Sequence, residues 1–271
     1  MFVSKPKYNL HKTMKKYITL ATLLAAGTAF ASAATLTELA TMAELVDAAE
    51  DIGTSVTDVT SQYTENADAV YDFTGAGSIL KIEKSDVYNY ITGGTGYLTI
   101  AAWIKPTSTT ENSIFSVGEQ NTGFKFALKD GGLQVTTKGI ADTNVTCANL
   151  GYTNISTTDW TLVAVTVNLA QNGDSRFYMG SLDGKFASRN LGAWHATTDG
   201  YLAIGSGNTG DVRDGFVGEI ANLKLFASDG LVNNSDIAAS MTGAPIPEPS
   251  TFGLLAGLGA LALVGSRRRR R

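Results

Sequence analysis

Acidic side chains are the first residues of this sequence that could do chemistry, because glycosidic-bond hydrolysis requires a pair of carboxylates. On one strand, Glu-x-Asp-x-Glu supplies such a pair, since alternate residues point to the same face. The chain contains no such run, and Glu219 has no acidic neighbour at that spacing. Glu83 with Asp86, and Glu111 with Glu119, also lack it. Catalysis by two carboxylates would therefore need acids from separate strands.

Histidine is the next residue type to consider, because a serine or cysteine nucleophile needs a histidine base. The chain has 2 histidines, and His195 is the one outside the N-terminal segment. His195 follows Trp194 in NLGAWHATTDG, a predicted loop, and no Gly-x-Ser-x-Gly elbow is present. Trp194 is the best candidate to stack on sugar rings. His195 beside it is a second candidate for a ligand-binding surface, and the alternative is an ordinary residue of a surface turn.

Calcium is the one metal that the residue types favour, because it takes oxygen ligands from carboxylates and carbonyls. The loop sequence GNTGDVRDGF offers Asn208, Asp211 and Asp214 as candidate ligands. Arg213 stands between the two acids, and a solvated turn without calcium is the alternative. No other cofactor is predicted, and the single Cys147 excludes a disulfide within the chain.

The charge distribution argues against nucleic acid as a partner. The chain of 271 residues has 21 basic and 25 acidic residues, but ten of the basic ones lie in its first 33 and last five positions. The body is left with 11 basic against 25 acidic residues. Binding to nucleic acid needs clustered lysine and arginine, so this acidic body excludes that class.

The N-terminal residues 1–33 have the layout of a secretory signal peptide. A basic start, a short apolar run and a small-residue cleavage site follow one another, at residues 14–16, residues 18–30 and Ala31-Ser32-Ala33. The thirteen residues before Met14 add nothing to this design. We expect Met14 to be the true start, with cleavage after Ala33.

The C-terminal sequence PIPEPSTFGLLAGLGALALVGSRRRRR has three parts in a fixed order. These are Pro247-Glu248-Pro249, an apolar stretch at residues 251–266, and Arg267, Arg268, Arg269, Arg270 and Arg271. As a helix the apolar stretch reaches about 24 Å, against a hydrocarbon core of about 30 Å. Snorkelling arginines and local thinning would let this transmembrane helix span. The arginines then stay cytoplasmic and the body lies outside.

This tripartite tail closely resembles the PEP-CTERM sorting signal over residues 246–271. The resemblance implies transient anchoring in the inner membrane, and then cleavage near the Pro-Glu-Pro by an exosortase-type enzyme. The released protein would go to the cell surface or to extracellular polymer. Prolines keep the junction extended, which suits a protease cleft. The alternative is a permanent single-pass anchor.

Residues 34–66 are expected to form a helix and a linker. Apolar residues recur at helical spacing in TLTELATMAELVDAAEDIG. Thr35 with Glu38 could form a capping box, and Gly53 could end the helix. The following residues, TSVTDVTSQYTEN, predict a linker or an edge strand.

From residue 67 to residue 242 the pattern is all-β, with short alternating runs between Gly, Asn or Asp turns. YLTIAAWIK places its apolar residues on one face, whereas WTLVAVTVN is apolar on both faces and predicts a central strand. Roughly ten to fourteen strands without a long helix predict two antiparallel sheets packed as a jelly-roll sandwich.

An ordered series of these strands resembles the LamG-like, concanavalin A-like jelly-roll family. The series includes AVYDFTGAGSILKI, LTIAAWIKP, DWTLVAVTVN, RFYMGSLDGK, LAIGSG and FVGEIANLKLFAS. Ala221-Asn222 departs from the acidic pair that the family often has, and the turn at residues 180–184 is lengthened. These departures fall where a family member would carry a calcium ligand or a recognition loop.

Together these features predict an exported bacterial surface or extracellular-matrix protein with one non-catalytic domain. We expect this domain to bind polysaccharide or a surface protein through its loops, or to act structurally. Its other partners would be the exosortase-type enzyme and, transiently, the inner membrane. The alternative is a polysaccharide hydrolase on a concanavalin A-like fold.

Overall fold

The computed structural model describes residues 34–53, 55–74, 77–83, 86–118, 124–137, 143–145, 154–170, 174–179, 186–190, 201–207, 214–241 and 243–247. The expected signal peptide and the expected transmembrane helix lie outside these ranges. Inside them, no helix combines the length and apolar character needed to cross a bilayer.

Strands dominate the described residues, and the helices are short. The elements in chain order are β1 (Thr37–Thr41), α1 (Met42–Asp47), β2 (Ala49–Ile52), β3 (Val56–Asp58), a 3-10 turn (Thr60–Gln62), β4 (Tyr63–Glu65), β5 (Val70–Phe73), β6 (Leu80–Ile82), α2 (Asp86–Thr92), β7 (Tyr97–Pro106), β8 (Glu111–Val117), β9 (Phe124–Lys129), β10 (Gly132–Thr137), β11 (Thr143–Val145), β12 (Thr161–Asn168), β13 (Asp174–Met179), β14 (Phe186–Asn190), β15 (Leu202–Ile204), β16 (Gly218–Ser228), α3 (Asn234–Ser240) and β17 (Ile246–Pro247).

Two antiparallel sheets form the sandwich, as the sequence predicted. In the described ranges, sheet A has 8 strands in the order β14-β13-β12-β7-β16-β5-β3, and β1 also pairs with β16. Sheet B has 7 strands there, in the order β11-β10-β9-β8-β15-β6-β2. A further two-stranded pair joins β17 to β4. Connections that cross between the sheets, such as β14 to β15, give the jelly-roll character.

The main core lies between the sheets and follows the alternation of the strands. Leu98, Ile100, Ala102 and Ile104 of β7 all face inward and are fully buried, which confirms the predicted face of this strand. β9 and β10 form a hairpin, and its turn uses Asp130 and Gly131 in left-handed conformations.

The outer face of sheet A carries a second apolar cluster. Leu162 and Ala164 of β12 pack there against Ile237 of α3, while the alternate valines of β12 enter the main core. β12 pairs with β7 on one side and β13 on the other, so it is the predicted central strand buried on both faces. Helix α3 therefore covers apolar surface that sheet A would otherwise expose.

The helix expected over residues 35–53 is wrong in extent, since α1 covers only Met42–Asp47. β1 before it pairs with β16, and β2 after it pairs with β6. The capping box forms at Thr41 and Glu44 instead of Thr35 and Glu38: Glu44 N–H donates to Thr41 Oγ1 over 3.3 Å. Pairing with a long strand satisfies more backbone groups than one further helical turn, so tertiary context overrides the local spacing.

Asn222 lies at an irregularity in the middle of β16, where the backbone is left-handed with φ of 51°. Asparagine tolerates this conformation better than most residues. Its side-chain oxygen accepts the N–H groups of Asp68 and Ala69 over 2.9 and 3.3 Å, and its amide donates to the carbonyl of Asn66. Asn222, where the sequence departs from the family pattern, thus attaches residues 66–69 to sheet A.

Replacing Asn222 should destabilise the domain. Asn222 is 4% exposed, so Asn222→Ala leaves buried backbone groups unpaired at a cost of about 2–4 kcal/mol. Asn222→Gly should lose less, because glycine accepts the left-handed backbone. Denaturant unfolding measures both, and Asn89→Ala on the exposed side of α2 is the control, expected to change stability by less than about 0.5 kcal/mol. Equal losses for the alanine and glycine variants would show that the backbone conformation contributes nothing.

Candidate functional site

Most residues that the sequence singled out lie outside the described ranges, so their roles remain predictions. These are Ala31, Ala33, Trp194, His195, Asn208, Asp211, Glu248, Pro249 and the five arginines at 267–271. Trp194 and His195 fall between β14 of sheet A and β15 of sheet B. Asn208 and Asp211 fall between β15 of sheet B and β16 of sheet A.

Asp214 is the one predicted calcium ligand that the structure describes, and its carboxylate has a cationic partner. Lys125 Nζ lies 2.8 Å from Asp214 Oδ2 and 3.2 Å from Glu111 Oε1. Among the described residues, no group of three acids, histidines or cysteines could hold a metal ion. A calcium ion at Asp214 would therefore have to displace a lysine, and the calcium site remains a prediction.

A row of charges continues from Asp214 across the outer face of sheet B. Lys129 Nζ lies 2.5 Å from Glu111 Oε2, so Glu111 bridges two lysines on β9. The hydrogen bond from Lys129 lowers the pKa of Glu111, with burial acting in the opposite direction. Glu111 is thus held as a carboxylate in an ion-pair network, which is a structural role.

The outer face of sheet A carries a second polar group, which we call the Tyr63 cluster: Tyr63, Asp72, Lys105, Trp160 and Glu219. β16 lies between β7 and β5, and Glu219 is directly opposite Lys105 on one side and Asp72 on the other. Lys105 Nζ lies 2.8 Å from Glu219 Oε2. Because alternate residues of these strands enter the core, all three side chains point away from it.

Tyr63 and Trp160 form the aromatic half of the Tyr63 cluster. Their rings meet edge to face with centroids 5.7 Å apart, and the ammonium of Lys105 lies 5.1 Å from the Trp160 ring centroid. Tyr63 O–H donates to the carboxylate of Glu219, and Lys105 donates to the Tyr63 oxygen over 3.2 Å. Trp160 is partly buried on the outer face of sheet A.

Burial and neighbouring charges set the protonation of the Tyr63 cluster. Burial and the hydrogen bond to Glu219 raise the pKa of Tyr63. Burial lowers the pKa of Lys105, but its hydrogen bonds to Glu219 and Tyr63 outweigh this effect and raise the pKa overall. Burial, and then the charge of Glu219, raise the pKa of Asp72. Near neutral pH the cluster therefore keeps a charged lysine beside Glu219.

Asp72 and Glu219 form the carboxylate pair that the sequence could not locate. They come from separate strands, 147 positions apart in the chain, and cross-strand neighbours have Cβ atoms about 4.5–5.5 Å apart. Only the register of β5 against β16 brings them together. However, Glu219 Oε2 already accepts hydrogen bonds from Tyr63 and Lys105, and these contacts hold Tyr63 against sheet A.

The fold is a two-sheet antiparallel sandwich. A comparison with known protein families identifies the superfamily to which it belongs. Residues 81–237 match the family model of the concanavalin A-like lectin/glucanases superfamily. The chain belongs to this superfamily. Residues 245–270 match the PEP-CTERM protein-sorting motif, which indicates export with membrane transit and implies processing by an exosortase. No curated protein matches the sequence.

The solved structures to which the chain is similar include binding domains of botulinum neurotoxins. The receptor-binding domain of botulinum neurotoxin C/D mosaic serotype has 15% identity and a TM-score of 0.49, over 70% of this chain and 45% of that one. The binding domain of botulinum neurotoxin serotype G has 10% identity and a TM-score of 0.49, over 77% and 46%. This chain thus spans about half the length of these proteins.

Removing the charge of Asp72 should stabilise the domain near neutral pH. The folded state holds the Asp72 proton more tightly than the unfolded state does, so ionisation costs stability as the pH rises above about 4. Asp72→Asn should raise the Tm at pH 7 by about 1–2 °C, and the gain should disappear well below pH 4. Thermal unfolding at both pH values tests this, with exposed Asp229→Asn as the control. A lower Tm at pH 7 would contradict the prediction.

Proposed function

We propose that this chain is an exported bacterial surface or extracellular-matrix protein whose sandwich is a non-catalytic binding or structural module. The observation that carries the proposal is the continuity of sandwich and sorting motif. Helix α3 ends at Ser240, and the match to the PEP-CTERM motif begins at residue 245. Because the sorting motif follows the sandwich almost directly, export through the motif would carry the sandwich out of the cell with it.

The ligand of this module is a polysaccharide or another surface protein, bound through loops at one rim of the sandwich. Support comes from topology, because the segment that carries Trp194 connects β14 of sheet A to β15 of sheet B. Connections between packed sheets run over the surface of a sandwich, where binding residues concentrate. Trp194 offers an aromatic platform for a sugar ring, with His195 beside it.

A polysaccharide hydrolase is the second candidate, and the adjacency of Asp72 and Glu219 is the observation in its favour. A retaining glycosidase needs two carboxyl groups about 5–5.5 Å apart. The same hydrogen bonds that tie Glu219 to Tyr63 and Lys105 count against it, because a nucleophile must leave them. Polysaccharide cleavage that is lost in Glu219→Gln would reverse the ranking.

A glycan array with residues 34–247, with and without calcium, tests the proposed binding. Binding should be lost in Trp194→Ala by at least about tenfold, since stacking of a ring on an aromatic side chain contributes over about 1 kcal/mol. Trp103→Phe is the matched control, because Trp103 is a tryptophan that packs against the apolar cluster on the outer face of sheet A. If calcium is a ligand, its removal should also abolish binding. Equal losses in both variants would contradict a role for Trp194.

A further inference from the structure

The first residues of the sorting motif are part of the folded domain. In the pairing of β17 with β4, Ile246 is opposite Glu65 and Pro247 is opposite Tyr63. Pro245 just before them is buried, and Asn66 Nδ2 donates to the carbonyl of Ala244 over 3.4 Å. No free linker therefore separates the sandwich from Pro247.

Strand β4 is itself fixed to sheet A at both ends. Tyr63 is held by Glu219 and packs against Trp160, and the carbonyl of Asn66 accepts the amide of Asn222. Tyr63 is 9% exposed, so its side chain forms part of the packed structure. Because Pro247 pairs with β4, its backbone is held at a defined place on the domain.

The chain between Pro247 and the apolar stretch is short. Three residues, 248–250, separate Pro247 from Thr251, and four Cα steps reach at most about 14 Å. The polar interfacial layer on each side of a bilayer is about 5–8 Å thick. While the tail is in the membrane, β17 must therefore lie within about 9 Å of the outer edge of the headgroup layer.

We infer that the precursor rests on the bilayer through one defined surface, the β4–β17 patch, formed by Gln62, β4, Asn66 and β17. This inference depends on the proposed routing, in which the apolar tail is embedded before it is cut. Ile246 in the patch is one of two large apolar side chains that the described residues leave strongly exposed, at 47%. An apolar side chain at the headgroup level of a bilayer loses contact with water, which favours this orientation.

The partner is a lipid surface. It faces the patch only while the tether, residues 248–250, connects Pro247 to the embedded apolar stretch. The body has 11 basic against 25 acidic residues, so it has no electrostatic attraction for anionic lipids by itself. Cleavage near the Pro-Glu-Pro removes the tether and therefore ends the contact. The membrane thus acts as a docking surface for the precursor and not for the released protein.

Fluorescence quenching by lipid tests the orientation. In a Cys147→Ser background, the full chain carries an environment-sensitive dye at Gln62→Cys or at Asn89→Cys. Both residues are exposed. Asn89 lies on α2, where Tyr90 O–H contacts the carbonyl of Tyr97. Tyr97 is about 26 Å along β7 from Lys105 in the Tyr63 cluster.

The labelled chains are reconstituted, without exosortase, in phosphatidylcholine–phosphatidylglycerol vesicles that contain headgroup spin-labelled lipid. Dye fluorescence at position 62 should be quenched at least about twofold more than at position 89. The reason is that the distance of about 26 Å between Tyr97, beside α2, and Lys105, in the Tyr63 cluster, exceeds the thickness of the interfacial layer. Chains that end at Pro247 should show no quenching at either position. Equal quenching at positions 62 and 89 in membrane-integrated protein would overturn the inference.

A second variant isolates the short tether as the cause. A flexible twelve-residue Gly/Ser insertion after Pro247 should reduce quenching at position 62 to the level of position 89, because the domain can then leave the surface. Quenching that survives the insertion would overturn the tether argument. Extraction of the vesicles with carbonate separates the two proposals. If carbonate releases the chain, its tail is not embedded in the bilayer, and this result contradicts the proposed routing. If the chain stays in the bilayer but position 62 is not preferentially quenched, only the docking inference is contradicted.

Discussion

Hydrogen bonding along β16 is the constraint on which the rest of the structure depends. Its 11 residues pair with β7 on one side, and on the other side with β5 and then β1. The change of partner leaves a gap in the ladder, and the irregularity at Asn222 lies in this gap. The Asn222 side chain supplies hydrogen bonds to residues 66–69 there, so one left-handed residue attaches the segment before β5 to the sheet.

Both faces of sheet A are apolar. Helix α3 and the segment before β4 cover the outer face. Helix α3 packs over Leu162 and Ala164, and the segment that leads into β4 packs over Val70 and Ala221. The Tyr63 cluster holds the segment before β4 against sheet A through the Lys105–Glu219 ion pair and the Tyr63–Trp160 aromatic pair. Exposed ion pairs stabilise little, but Lys105 and Glu219 are only 26% and 21% exposed and share Tyr63 as a partner. The cluster therefore fastens this segment to sheet A, which also explains why Glu219 is held by Tyr63 and Lys105.

Local pattern predicted the parts of this structure that local physics determines. The apolar patterns of β7 and β12 each indicated the observed strand, because hydrophobic periodicity acts over a few residues. The segment at residues 34–66 failed for the complementary reason: its helical spacing was real, but distant strands β16 and β6 offered better hydrogen bonding. The Tyr63 cluster was out of reach, since a register between β5, β16 and β7 has no signature in any single run.

The boundary between domain and sorting signal is shared rather than sharp. A division at residues 242 and 243 follows from composition, yet β17 belongs by sequence to the sorting motif and by hydrogen bonding to the sandwich. Proline is suited to both roles of Pro247. It lacks an N–H group, so it can occupy an edge strand without an unpaired donor, and it keeps the next residues extended. The motif thus begins within the folded domain, on the strand β17 that pairs with β4. On the proposed routing, the domain as well as the tail would determine how this chain meets the membrane.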